Sequence, residues 1–110
     1  MSLPLEPRMY VIVREDLSMK YIQGAHALSE FALEHPKEFQ EWENRYLIFL
    51  SVFNGLVLDA LKIELLSKGV TLSEFFEPDL KSELPTALCL FDDGKNGYRN
   101  YLKKLSLASK

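Results

Sequence analysis

The chain alternates short continuous apolar runs with longer stretches in which apolar residues recur every three or four positions. "MYVIV", residues 9–13, is apolar and β-branched and predicts a buried strand ending near Arg14. "YLIFLSVF", residues 46–53, is apolar throughout and predicts a strand buried on both faces. "TLSEFFE", residues 71–77, predicts a third strand. Pro78 and Pro85 then bracket an acidic loop, and "TALCLFD" predicts the fourth.

Between these runs the period lengthens to that of a helix. At about 100° per residue, Tyr21, Ile22, Ala25, Leu28, Ser29 and Ala32 share a face centred near Ala25, the expected core stripe of a first helix. Glu15, Asp16 and Ser18 offer caps and first-turn acids ahead of it, and Pro36 obliges it to end by His35. "PKEFQEWEN" predicts a short second helix opening on proline, with Phe39 and Trp42 inward. "NGLVLDALKIELLSKG" predicts a third, with Asn54 as N-cap, Gly69 as stop and Leu58, Leu61, Leu65 and Leu66 at helical spacing. Tyr98, Tyr101, Leu102 and Leu105 give a last helical stripe. This order predicts an α/β fold, a three-layer α/β/α arrangement on a small four-stranded mixed sheet, with right-handed crossovers where joined strands run parallel.

With 110 residues, 47% apolar and 26% charged, the composition is that of one globular domain spanning 1–110 and excludes a disordered chain. No apolar run approaches the roughly 20 residues that span a bilayer, and "MSLPLEPRMYVIV" lacks the order of a signal peptide, so a cytoplasmic protein with no membrane partner is expected. The single cysteine, Cys89, lies in an apolar run and reads as a buried structural thiol. One cysteine and two histidines, His26 and His35, supply no familiar metal-ligand spacing, and neither metal nor cofactor is expected. The net charge of −3 hides a division: residues 95–110 carry Lys95, Arg99, Lys103, Lys104 and Lys110 and no acid. This basic tail marks a candidate interaction segment.

Three residues interrupt the first helical pattern. On the wheel centred at Ala25, His26 lies about 100° from the stripe, Gln23 about 160° and Lys20 about 220°, a polar fan leaving the core edge. All fall in the first turns, where a helix that follows a strand points its N–H groups and positive dipole end toward the ligand-binding edge of an open α/β sheet. Gly24 costs a helix about 1 kcal/mol relative to alanine, which implies close approach by something.

The combination of "MYVIVREDLSM", "QGAHA", Trp42 ahead of "YLIFLSV", and "PTALCL" resembles the archaeal and eukaryotic type of peptidyl-tRNA hydrolase over roughly residues 9–92. Arg14, Asp16, Leu17 and Met19 match that family's Arg-x-Asp-Leu-x-Met, Gln23, His26 and Ala27 its Gln-x-x-His-Ala, and Thr86 and Leu88 its Thr-x-Leu. Two features depart from the family. The segment between Met19 and Gln23 is shorter by about one helical turn, so Lys20 only approximates the expected lysine. The Asp-Ala-Gly-x-Thr motif is absent, leaving Glu74, Glu77 and Asp79 as alternative acids.

The resemblance implies a domain that hydrolyses the ester between an N-acylated amino acid or peptide and tRNA. It assigns catalytic roles to His26, Thr86 and an acid, Glu77 or Asp79, and substrate contacts to Lys20, Gln23 and Gly24, with peptidyl-tRNA as partner and a homodimer left open. The missing motif and the acidic body keep two alternatives in place: a non-catalytic binding module on the same fold, and a hydrolase of a smaller ester or amide.

Overall fold

The computed structural model describes residues 6–80, 83–95 and 98–108. Its elements are β1 (Arg8–Arg14), α1 (Lys20–Glu34), α2 (Pro36–Trp42), β2 (Tyr46–Val52), α3 (Gly55–Ser67), β3 (Leu72–Phe75), β4 (Ala87–Asp92), α4 (Tyr98–Leu102) and β5 (Ser106–Leu107), with a 3₁₀ turn at Pro78–Leu80. The fold is α/β, with one mixed sheet in the order β3-β4-β1-β2-β5. β1 and β2 are parallel, whereas β4 runs antiparallel to both β1 and β3, and β5 runs antiparallel to β2. The sheet therefore has five strands where four were expected. The fifth is two residues of the tail, too short for periodicity to register, added beside Leu50 and Ser51.

Strand alternation sorts the core into two clusters. Met9, Val11, Val13, Ala87, Cys89 and Phe91 pack with Ala27, Phe31 and Trp42 of α1 and α2. Tyr10, Ile12, Leu50, Val52, Leu88 and Leu90 pack with α3 and α4 on the other face. Burial raises the Cys89 thiol far above its ordinary pKa, consistent with a packing residue. The expectation that β2 is buried on both faces fails at its start, where Tyr46 and Leu47 are exposed. Phe53 lies beyond its end and is exposed as well.

The expected core stripe of α1 is also corrected. Its buried residues are Gln23, Gly24, Ala27 and Phe31, a face rotated by roughly 145° from Ala25, and Tyr21 and Ile22 are exposed. The reason is steric. A Cβ on Gly24 would lie 2.7 Å from Phe49 Cε2, 2.9 Å from Val11 Cγ1 and 3.0 Å from Val13 Cγ1. Over its first turns the helix docks through Gly24 and Ala27, so close to the sheet that Tyr21 and Ile22 are turned to the sides, and Phe31 is the large residue that enters the core further along.

Nor is α1 capped as expected. Met19 occupies its N-cap with no side-chain bond, and its first turn holds no acid. α3 does follow expectation: the Asn54 side chain accepts from Val57 N at 3.0 Å, and Gly69, with φ of +79°, closes the C-terminal end. Leu58, Leu61 and Leu65 face inward, while Leu66 is exposed. In the tail, Tyr98 and Leu102 are buried with Tyr101 and Leu105 packed beside them. Arg99 belongs to the basic tail that marked a candidate interaction segment. It is drawn inward to the buried carboxylate of Asp92 and donates to the Glu6 carbonyl at 2.9 Å. Lys103 and Lys104 are exposed.

Candidate functional site

The register places the carboxyl ends of β1 and β3 at one edge of the sheet, since Val13 pairs with Ala87 and Ala87 with Phe75. In open α/β sheets this is the edge where ligands bind. Arg14 fixes it by donating to both carboxylate oxygens of Asp16, at 3.0 and 2.8 Å, and to the Pro85 carbonyl at 3.3 Å. Its hydrogen bonds hold the Asp16 carboxyl below the ordinary range. The Arg-x-Asp pair thus ties the end of β1 to the segment leading into β4.

Behind this brace lies a chain of polar contacts. Thr86 is fully buried, and its hydroxyl lies 2.8 Å from Gln23 Oε1 and 3.0 Å from the Phe75 carbonyl, one proton shared between two acceptors. Gln23 Nε2 donates to Glu77 Oε2 at 3.1 Å. With a hydroxyl donor at its oxygen and a carboxylate at its nitrogen, the buried Gln23 amide has one orientation and both ends engaged. Three residues singled out from sequence, Gln23, Glu77 and Thr86, are brought together from three parts of the chain.

Gln23 and Glu77 open onto a cleft of about 280 Å³ between the start of α1 and the turn after β3. Asp79 is on the same wall, and Leu17, Met19, Ile22 and Leu80 supply the apolar surface. None of the four was expected to line a site: Ile22 was assigned to the core, Leu17 and Met19 were marked only as matches to the family motif, and Leu80 fell in the acidic loop between Pro78 and Pro85. Gly24 and Ala27, small residues three apart, were the available sign of which face docks, and they put Ile22 outside it.

The other expected residues are elsewhere. His26 is exposed, outside the cleft lining, and stacks on Phe75 with ring centroids 4.6 Å apart and planes at 11°. Lys20 forms an ion pair with Glu15 at 2.6 Å. Gly24 faces the sheet, so its close approach is to protein and not to a ligand. Glu74 joins Asp59 in holding Lys62 of α3, at 3.0 and 2.9 Å, which raises the Lys62 pKa and leaves Glu77 as the acid bonded to Gln23. His35 reaches the Leu72 carbonyl at 3.1 Å. Among the described residues, no group of three His, Cys, Asp or Glu is placed to hold a metal ion, and no helix is long and apolar enough to cross a membrane.

No family model and no curated protein matches the sequence. Among solved structures, the chain is similar to a protein of unknown function from Agrobacterium tumefaciens strain C58, with a TM-score of 0.67 at 15% identity, over 96% of this chain and 99% of that one. At that identity the likeness is one of fold alone.

Proposed function

We propose that the chain is a non-catalytic ligand-binding domain on a three-layer scaffold of the archaeal and eukaryotic peptidyl-tRNA hydrolase type, with the cleft beside Gln23 as its binding site. The observation that carries this reading is the separation of the two groups hydrolysis would need together. The Gln23 amide is held at both ends by Thr86 and Glu77, while His26 stands outside the cleft with its ring on Phe75. A general base must come within hydrogen-bond reach of the proton it removes, directly or through one water.

The charges point the same way. Arg14 at the end of β1 and Lys20 at the start of α1 are each paired with an acid, and the cleft wall carries Glu77 and Asp79. Affinity for tRNA rests largely on phosphate neutralisation, which an acidic wall opposes.

Hydrolysis remains the second reading for one specific reason. Gln23 and Thr86, both drawn from the family resemblance, meet at 2.8 Å across 63 positions of the chain. The two readings part in one assay, release of the acylated amino acid from N-acetylaminoacyl-tRNA by the purified chain. The binding domain is expected to be no faster than buffer, with His26→Ala indistinguishable from wild type. Turnover that falls about 10²-fold in a folded His26→Ala variant would overturn the proposal in favour of hydrolysis.

A further inference from the structure

We infer that the cleft between the start of α1 and the Pro78–Leu80 turn takes a small amphipathic cation, a primary ammonium on an apolar chain of about six carbons. The inference rests on the binding reading above and gives the ligand its chemistry.

Two features of the cleft are independent and point to one molecule. First, Met19, Ile22 and Leu80 are 57%, 48% and 47% exposed, three large apolar side chains left in water around one depression. Covering such surface is worth about 25 cal/mol per Å². Second, the cleft wall carries two carboxylates, and among the described residues that line it none is a cation. Arg14 is consumed by Asp16 and Lys20 by Glu15. Glu77 spends one contact on Gln23 Nε2, and a carboxylate has about four acceptor positions, so Glu77 and Asp79 together retain capacity for an ammonium's three donors.

The acids are also held in place. Leu80 N donates to the Glu77 carbonyl at 3.1 Å, closing the turn that carries Glu77 and Asp79, and Pro78 at its second position fixes φ. A preorganised wall lowers the entropic cost of binding. The size follows from the volume: about 280 Å³ lies just below the range of about 300–1,000 Å³ that holds drug-sized ligands, which suits a short chain of a few carbons. A phosphate or carboxylate ligand meets repulsion here, and a neutral apolar one leaves both carboxylates unused. An alkylammonium uses the apolar wall and the acids at once.

The test is titration of the full chain, followed by backbone amide shifts, with n-hexylamine, 1-hexanol and hexanoate at neutral pH. Hexylammonium is expected to move the amides of Met19, Ile22, Gln23 and Leu80 and to bind at least about 10-fold more tightly than the alcohol or the acid. Glu77→Gln, which keeps an acceptor for Gln23, and Asp79→Asn should each weaken it severalfold while leaving hexanol binding unchanged, and added salt should weaken it further. Equal binding of amine and alcohol overturns the inference yet leaves the binding domain standing as a site for apolar ligands. Absence of any shift at these amides overturns it as well. The tRNA assay is a separate result, so failure of the binding reading is distinguishable from failure of the ligand assignment.

Discussion

Helix α1 meets one face of the sheet through Gln23, Gly24, Ala27 and Phe31, whereas α3 meets the other through Leu58, Leu61 and Leu65. In α3 the large residues fill the space to the sheet, and further apolar side chains, Leu56, Ile63 and Leu66 among them, are left outside. In α1 the small residues remove that space, and a polar residue is carried to the interface with its hydrogen bonds supplied by Thr86 and Glu77. The starts differ too: α3 is capped by Asn54, while α1 begins at an uncapped Met19 after a loop held by Arg14 and Asp16. Large apolar residues therefore identify the buried face only where the helix stands off at ordinary distance. Close docking at Gly24 overrides the rule in the first turns of α1, although Phe31 still obeys it further along, and here it also shapes a cleft out of the apolar residues it displaces.

The largest effect should come from the ordinary seat. Leu65 is fully buried, so Leu65→Ala is expected to cost about 2–5 kcal/mol in denaturant unfolding through lost transfer energy and a cavity. A loss below about 1 kcal/mol would mean that α3 is loosely seated and the contrast with α1 overstated.

Gly24→Ala tests the close seat. Helix propensity alone favours alanine by about 1 kcal/mol, and overpacking against the stiff β-branched Val11 and Val13 costs about 1–3 kcal/mol. A net loss near 1 kcal/mol is expected, together with amide shifts at Val11, Val13 and Phe49. Stabilisation would show that α1 stands further from the sheet than its contacts require.

The two helix starts give smaller effects. Asn54→Ala should cost about 1 kcal/mol by removing the bond to Val57 N, while Met19→Ala, with no cap to lose, should stay within about 0.5 kcal/mol. Equal losses would erase the difference between the starts.

The smallest is electrostatic. Because Arg14 lowers the Asp16 pKa in the folded state, Asp16 stabilises the fold above its unfolded pKa, and that contribution disappears as pH falls through the folded value. Asp16 is partly exposed, so the amount is about 0.5 kcal/mol or less. Asp16→Asn should flatten this acid limb of stability against pH. An unchanged limb would remove the brace from the account of how α1 begins.

How much of this was legible before the fold was known differs by level. The four longer strands, the three longer helices, the Asn54 cap and the Gly69 stop follow from local rules, because each depends on residues within a few positions of one another. Gln23, Glu77 and Thr86 were marked as candidates, yet their contact was not readable, since they lie 54 and 63 positions apart and meet only when β3 and β4 pair. The face on which α1 docks was misjudged because a hydrophobic wheel weighs transfer energy and ignores distance of approach. What the sequence by itself determined is where the chain turns helical or extended, a matter of local backbone and periodicity. Tertiary structure decided which side of α1 is inside, where His26 points, and that Ile22 and Met19 line a cleft. Those outcomes depend on Val11, Val13 and Phe49 standing within 3 Å of where a Cβ on Gly24 would be, and steric exclusion between a helix and the strands it folds against has no local signature.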